Sequence, residues 1–132
     1  MSLLALLAQD EADLPALSAL LQDATLRTGD IAFEPRTRRL VLLVNRYRWE
    51  APSPSRVRAA LRVETVQGIS HRNWPMAREM VLGLLALRWT GAHLLLEFSD
   101  GISLRATCEV LDLLLEDLGA PWPASRQPRH PD

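Results

Sequence analysis

Strict alternation of apolar and polar residues is the feature that most limits what this chain can fold into. Along residues 56–65, small or branched apolar residues fill every second position, with mostly arginine and glutamate between them. Successive side chains of a β-strand point to opposite faces, so the pattern predicts a strand with one buried and one solvated face. The predicted buried residues are Val57, Ala59, Leu61 and Val63.

A second long strand is predicted over residues 40–50, "LVLLVNRYRWE". One face carries Val41, Leu43, Asn45, Tyr47 and Trp49, and we expect the Tyr47/Trp49 side to be buried. The other face begins with Leu40, Leu42 and Val44 and ends with Arg46, Arg48 and Glu50. We expect another element, the first helix for example, to cover its apolar start and to leave its arginines in water. The prolines of residues 51–55 exclude a central strand between the two.

The remaining chain divides into short elements. Leucines at helical spacing predict a helix over residues 13–24, with Asp13 as its cap and Pro15 in its first turn. Further strands are predicted at residues 31–33, 66–71, 80–89, 94–98 and 102–106. Residues 3–7 fit a strand or a helical turn equally well.

Residues 98–102 are predicted to turn back as a hairpin. A three-residue loop, Ser99 to Gly101, pairs Phe98 with Ile102 and aligns the apolar faces of both strands. A two-residue turn would instead place the apolar set of one strand against the polar set of the other. Gly101 is therefore expected in the left-handed conformation.

The last element is predicted to be a helix that begins at Thr107 and ends at Gly119. Its buried stripe is expected to consist of Val110, Leu111, Leu114, Leu115 and Leu118. Cys108 has two readings: a reactive thiol whose pKa the helix dipole lowers, or a small buried hydrophobic residue. We favour the second.

These elements predict an α+β fold: an N-terminal helix, an antiparallel meander of about seven strands, and a packing C-terminal helix. The element order is that of pleckstrin-homology-like barrels, and an open sheet with both helices on one face is the alternative. Residues 3–119 are expected to form a single domain. Residues 120–132 are expected to be a mobile proline-rich tail, with Trp122 folding back onto the body.

Charge is segregated along the chain. All 15 basic residues are arginine, and ten of them lie in residues 27–72 against four acidic residues. The segments on either side are acidic, although the formal net charge is only −1. The middle segment is therefore expected to form a basic surface. The short apolar runs, the missing basic leader and the single cysteine favour a cytoplasmic protein without a membrane span.

The stretches "LLQDATLRTGDIAF", "RRLVLLVNRYRWE", "LGLLALRW" and "CEVLDLLLEDLGAPW" together resemble a bacterial family, chiefly alphaproteobacterial, that is catalogued as domain of unknown function number 2948. The likeness spans nearly the whole chain. It implies a bacterial, intracellular, single-domain protein, and it brings no activity, cofactor or catalytic residue.

No catalytic motif stands out in the sequence. The glycines are isolated, no serine lies in a nucleophile-elbow pattern, and His71, His93 and His130 lack metal-ligand spacing. We therefore predict no catalytic residue, no metal and no cofactor, and we rank an enzyme below a binding protein.

The candidate binding residues are Arg46, Arg48, Arg56, Arg58 and Arg62. The two long strands can pair in two registers that differ by two residues, and both place arginine opposite arginine, an arrangement that would suit an anion. The alternative is a solvated face whose arginines pair with Glu50 or Glu64. The favoured function is a non-catalytic protein-interaction module with an unknown protein partner. The second hypothesis is a binder of nucleic acid or another polyanion, which the acidic ends of the chain disfavour.

Overall fold

Antiparallel β-strands make up most of the protein. The computed structural model describes residues 3–124, within which eleven strands form one connected sheet. The elements are β1 (Ala5–Ala8), α1 (Leu14–Leu21), β2 (Thr25–Arg27), β3 (Ile31–Glu34), β4 (Arg39–Tyr47), β5 (Ser55–Val63), β6 (Val66–Arg72), β7 (Val81–Trp89), β8 (His93–Phe98), β9 (Ser103–Cys108), β10 (Leu113–Asp117) and β11 (Trp122–Pro123). Short 3₁₀ turns at Glu11–Asp13, Thr28–Asp30 and Ser99–Gly101 join some of them.

The sheet is open. Its pairing order is β1-β10-β5-β4-β2-β7-β8-β9-β6, with β3 beside β4 and β11 beside β5. The predicted antiparallel sheet is confirmed, but the predicted fold class is wrong: there are eleven strands, no closed barrel, and a strand order that is not a meander. The sequence pattern missed β2, β10 and β11, because β2 and β11 are too short to show a period.

The central pair of the sheet is β4 with β5, and its register determines which residues form the core. Leu42 lies opposite Leu61, and Val44 lies opposite Ala59. All four are fully buried. The predicted buried face of β5 is therefore confirmed, and β4 adds its leucine face to the same core.

The single helix covers part of that core. It is shorter than predicted, since a 3₁₀ turn precedes it and the chain leaves the helix after Leu21. Leu14, Leu17 and Leu21 are buried, and the helix contacts β1, β4 and β7. Asp13 precedes the helix without a side-chain capping bond. In residues 3–124 no helix has the length and apolar content needed to cross a membrane.

The predicted C-terminal helix is wrong. The chain makes a turn after β9 and continues as β10, which lies between β1 and β5. Burial there follows a period of two: Leu111, Leu113 and Leu115 are buried, whereas Val110 and Leu118 are about half exposed. A leucine-rich run fits the helical period of 3.6 residues and the strand period of two equally well. A strand forms here because β5 offers main-chain hydrogen bonds along its edge that only a strand can use.

The end of the described chain also pairs with the sheet. Trp122 lies opposite Arg56, and Pro123 lies opposite Ser55. Residues 125–132, which include most of the predicted tail and His130, lie outside the described residues.

The predicted hairpin is confirmed. The Phe98 amide donates to the Ile102 carbonyl over 2.8 Å, and Glu97 pairs with Ser103 in the adjoining ladder. Gly101 has φ of 71°. Asp100 is also left-handed, with φ of 62°. Both turn positions therefore require residues that tolerate positive φ.

Gly101→Val is expected to lower the free energy of unfolding by about 1 kcal/mol or more, because a β-branched residue resists positive φ. A Cβ at Gly101 would approach nothing closer than 3.7 Å, so the cost is conformational and not steric. Gly119→Val is the control, since Gly119 has neither positive φ nor an atom within 4 Å of such a Cβ. Urea denaturation measures both, and equal losses would show that the turn does not need glycine.

Candidate binding surfaces

Arg46 is the largest fully buried side chain among residues 3–124. The prediction that it lies exposed on an outer face is wrong. In the observed register Arg46 lies opposite Val57, so it shares the core face with Leu42 and Val44. Tyr47 points the other way and is also buried, at 6% exposure. The leucine face of β4 is therefore the core, and Arg46 is its charged end.

Two carboxylates hold the Arg46 guanidinium. Its Nε and Nη2 donate to Oδ1 and Oδ2 of Asp117 over 2.9 and 3.0 Å. Its Nη1 and Nη2 donate to Oε1 and Oε2 of Glu50 over 3.0 and 2.7 Å. Asp117 Oδ2 also accepts the main-chain amide of Leu4 over 3.1 Å. Every guanidinium nitrogen is therefore occupied, and this buried cluster joins β4, β10, the chain before β1 and the turn after β4.

The electrostatics of the cluster favour its charged form. Burial by itself lowers the pKa of Arg46, but hydrogen bonds and attraction from Glu50 and Asp117 outweigh it, so the pKa lies above its ordinary value. The hydrogen bond from Arg46 holds the pKa of Glu50 below its ordinary value of 4.5, although partial burial opposes this. A cation already enclosed by two carboxylates has no free donors for a further anion.

The other four predicted residues are half-buried, and each has a partner. Arg48 donates to Ser55 Oγ over 3.1 Å. Arg56 donates to the Asn45 carbonyl over 3.1 Å and lies over the Tyr47 ring. The partners of Arg58 are Asn45 Oδ1 at 3.2 Å and Asp30 at 3.7 Å. Arg62 Nε lies 3.2 Å from the Glu64 carboxylate, an ion pair without hydrogen-bond geometry.

The predicted opposition of arginines is wrong as well. Arg56 pairs with Tyr47, Arg58 with Asn45, and Arg62 with Val41. Arg48 lies beyond the end of β4. Both predicted registers pair even-numbered residues with each other, whereas the observed ladder pairs even with odd. The observed register differs from the two predicted ones by one and by three residues, and an odd difference exchanges the faces and separates Arg46 from the rest of the predicted patch.

Two further reactive side chains of the described residues are Cys108 and His71. Cys108 ends β9 instead of starting a helix, and burial raises the pKa of its thiol to about 11. The favoured reading of Cys108 as a buried hydrophobic residue is confirmed. His71 packs against Trp74, with ring centroids 5.3 Å apart. Between residues 3 and 124, no three His, Cys, Asp or Glu residues are placed to hold a metal ion.

A pocket of about 300 Å³ with both apolar and polar walls lies between β3 and β6. Its walls include Ile31 and Phe33 from β3 and Ile69 from β6. Trp74 completes it and is held in place by an edge-to-face contact with Phe98, with centroids 6.1 Å apart. Within the described chain, β3 pairs only with β4 and β6 pairs only with β9, so each keeps one free edge.

A polar groove of about 470 Å³ lies on the face formed by β7, β8, β9 and β6. It is lined by Ser70, His71, Arg72, Arg88, Leu95, Glu97, Ser103 and Arg105. The binding residues predicted from the sequence do not include these three arginines, because they were all drawn from the two long predicted strands, between residues 46 and 62. The signal was present in the alternation: Ser70 and Arg72, like Ser103 and Arg105, fill the polar positions of amphipathic strands.

Comparison with known proteins gives a family and no function. The model of the family described as Protein of unknown function (DUF2948) matches residues 4–130. The chain belongs to this family. The predicted resemblance is thereby confirmed. Neither a curated protein nor a solved structure matches the chain.

Arg46→Met is expected to lower the free energy of unfolding by about 3–5 kcal/mol, because it leaves the buried Asp117 carboxylate without its cation. The double variant with Asp117→Leu should recover much of that loss. Arg27→Met is the control, since its ion pair with Glu79 is exposed and should contribute less than about 1 kcal/mol. Urea denaturation compares the three, and equal losses in Arg46→Met and Arg27→Met would contradict a structural role for the cluster.

The lowered pKa of Glu50 predicts a pH dependence. A carboxylate whose pKa is depressed on folding stabilises the protein above its ordinary value of 4.5. That contribution is lost as the pH falls through the folded-state pKa. The stability difference between wild type and Glu50→Gln should therefore be largest at neutral pH and should shrink below about pH 4.5. Glu116→Gln, at an exposed position without a described ion pair, should show no such trend. A difference that stays constant from pH 7 to pH 3 would contradict the prediction.

Proposed function

We propose that the protein is a non-catalytic interaction module that binds an extended segment of a partner protein along the free edge of β6. The observation that carries the proposal is a long open strand edge beside a pocket with apolar and polar walls. Unpaired main-chain amides and carbonyls on such an edge form a template for a further strand.

The exposure of β6 supports this role. It has seven residues and its last four side chains are exposed, including Ile69 at 38%. Edge strands are commonly protected by proline, charge, shortness or a bulge. β6 contains no proline, and Arg72 at its end is its one arginine. Its bulge lies at its start, between Val66 and Gly68, where the Val66 amide donates to the Arg38 carbonyl, so the exposed second half of the strand carries neither proline nor bulge. The opposite edge strand, β1, has only four residues.

The pocket specifies the chemistry of the partner. An added strand presents every second side chain to the same face, so one apolar side chain could enter the pocket between Ile69 and Phe33. Met76, at the pocket, is fully exposed. Arg78 and His71 also line it. The expected ligand is therefore an extended segment with an apolar anchor and an acidic neighbour.

The patch predicted from the sequence supports the second hypothesis less well. Arg46 is enclosed by Asp117 and Glu50, and the other four arginines all have partners within the protein. These contacts occupy Arg46 fully and the other four arginines in part, so the patch offers a polyanion fewer donors than the sequence suggests.

The proposal is tested with peptides selected from a random display library. Ile69→Asp should weaken their binding by about tenfold or more, because it removes an apolar wall of the pocket and repels the acidic residue expected in the ligand. Leu7→Asp is the matched control, since Leu7 is similarly exposed, at 51%, but lies on β1. Binding should also protect the main-chain amides of β6 from hydrogen exchange.

Three outcomes would overturn the proposal. The first is a failure to select any peptide. The second is binding that survives Ile69→Asp, and the third is amide protection on β1 instead of β6. Capture of a cellular protein by the immobilised wild-type chain would support the proposal only if Ile69→Asp abolished the capture and Leu7→Asp did not.

A further inference from the structure

We infer that the groove on the outer face of β6 and β9 is a binding site for a small anion that carries a phosphate group. The groove and the pocket proposed to receive a partner segment share only His71 among their lining residues: Ser70 and Arg72 line the groove, whereas Ile69 lines the pocket. The inference therefore does not depend on the proposed function.

Free positive charge is the first observation. Arg72 and Arg105 are exposed, and neither makes an ion pair or a side-chain hydrogen bond with any residue in 3–124. Arg88 also lines the groove but is paired with Glu97. The charges of Arg88 and Glu97 offset each other, so the free guanidinium groups of Arg72 and Arg105 give the groove a local charge of about +2.

The register brings the donors together. Arg72 lies opposite Ser103, and Arg105 lies opposite Ser70, so the two arginines are diagonal neighbours on one face. Diagonal neighbours have Cα atoms roughly 7–8 Å apart, within reach of long side chains. Two planar guanidinium groups and two hydroxyls therefore converge on one place from two strands.

A phosphate monoester matches this arrangement better than a carboxylate does. A single arginine can bind both oxygens of a carboxylate, which would leave the second arginine unused. A phosphate monoester carries a charge of about −1.5 to −2 and three acceptor oxygens, so it can occupy both arginines and a hydroxyl. The volume of about 470 Å³ also suits a small molecule.

Nucleic acid is a poorer match. Proteins that bind single strands without sequence preference combine a basic groove with aromatic side chains on which the bases stack. The lining residues include no Phe, Tyr or Trp. The formal net charge of −1 also provides little general attraction to a polyanion.

The test is a titration with inorganic phosphate at constant ionic strength, followed by amide chemical shifts in ¹⁵N–¹H spectra. Saturable shifts are expected in β6 and β9. Arg72→Gln and Arg105→Gln should each weaken binding by about tenfold or more, the loss of one charge-assisted contact. Since both side chains are exposed, the spectra of the variants should otherwise remain those of the folded protein.

Matched controls separate this site from general charge. Arg36→Gln removes an exposed arginine that lies outside the groove, and it should bind phosphate like wild type. Arg105→Lys keeps the charge but loses the planar fork, so its affinity should fall between wild type and Arg105→Gln.

Each contrary outcome overturns the inference. No saturable shift up to about 10 mM phosphate, corresponding to less than about 3 kcal/mol of binding, would mean that no site exists. Equal weakening by Arg36→Gln would mean unspecific charge. Tight binding of a single-stranded oligonucleotide that depends on Arg72 and Arg105, without saturable phosphate binding, would assign the groove to nucleic acid instead.

Discussion

The contact between Arg46 and Asp117 is the interaction on which the rest of the structure depends. It links β4 to β10 across β5, and Asp117 in turn holds the amide of Leu4 ahead of β1. Two strands, β4 and β10, and the segment before β1 are thus connected through one carboxylate. The contact requires the observed register of β4 with β5, because a shift of one residue would move Arg46 to the opposite face. Asp117 would then be buried without a cation, at a cost of several kcal/mol.

The register of β4 with β5 also determines which arginine side chains have partners within the protein. Most arginines of β4 and β5 contact groups of the protein itself, so the most basic segment of the chain offers little to a partner. Within residues 3–124, the two exposed arginines without a partner that share one groove, Arg72 and Arg105, lie on β6 and β9, at the other end of the sheet. The strand β6 borders both proposed sites, since Ile69 lines the pocket whereas Ser70 and Arg72 line the polar groove. A local count of charges along a sequence therefore does not locate a binding surface.

Several elements were predictable because their signals are local. The alternation of apolar and polar residues identified β5, β8 and β9. The requirement that the apolar faces of β8 and β9 align identified the three-residue turn that ends at Gly101. The segment 107–119 was not predictable in this way, because its leucines satisfy a helical period and a strand period together. The choice depended on β5, whose free edge lies about 50 residues earlier in the chain and accepts β10 as a neighbour.

The sequence by itself determined which residues can share a face within each strand, because that depends only on the geometry of the extended backbone. It also determined the family. Only the tertiary structure decided which face of β4 is the core, since this depends on the register with β5 and on the buried partners of Arg46. For the same reason the proposed anion site lies on β6 and β9 and not on β4 and β5, where the sequence predicted it. Whether an arginine is free depends on its neighbours in space, and strand pairing brings together residues that are far apart in the chain.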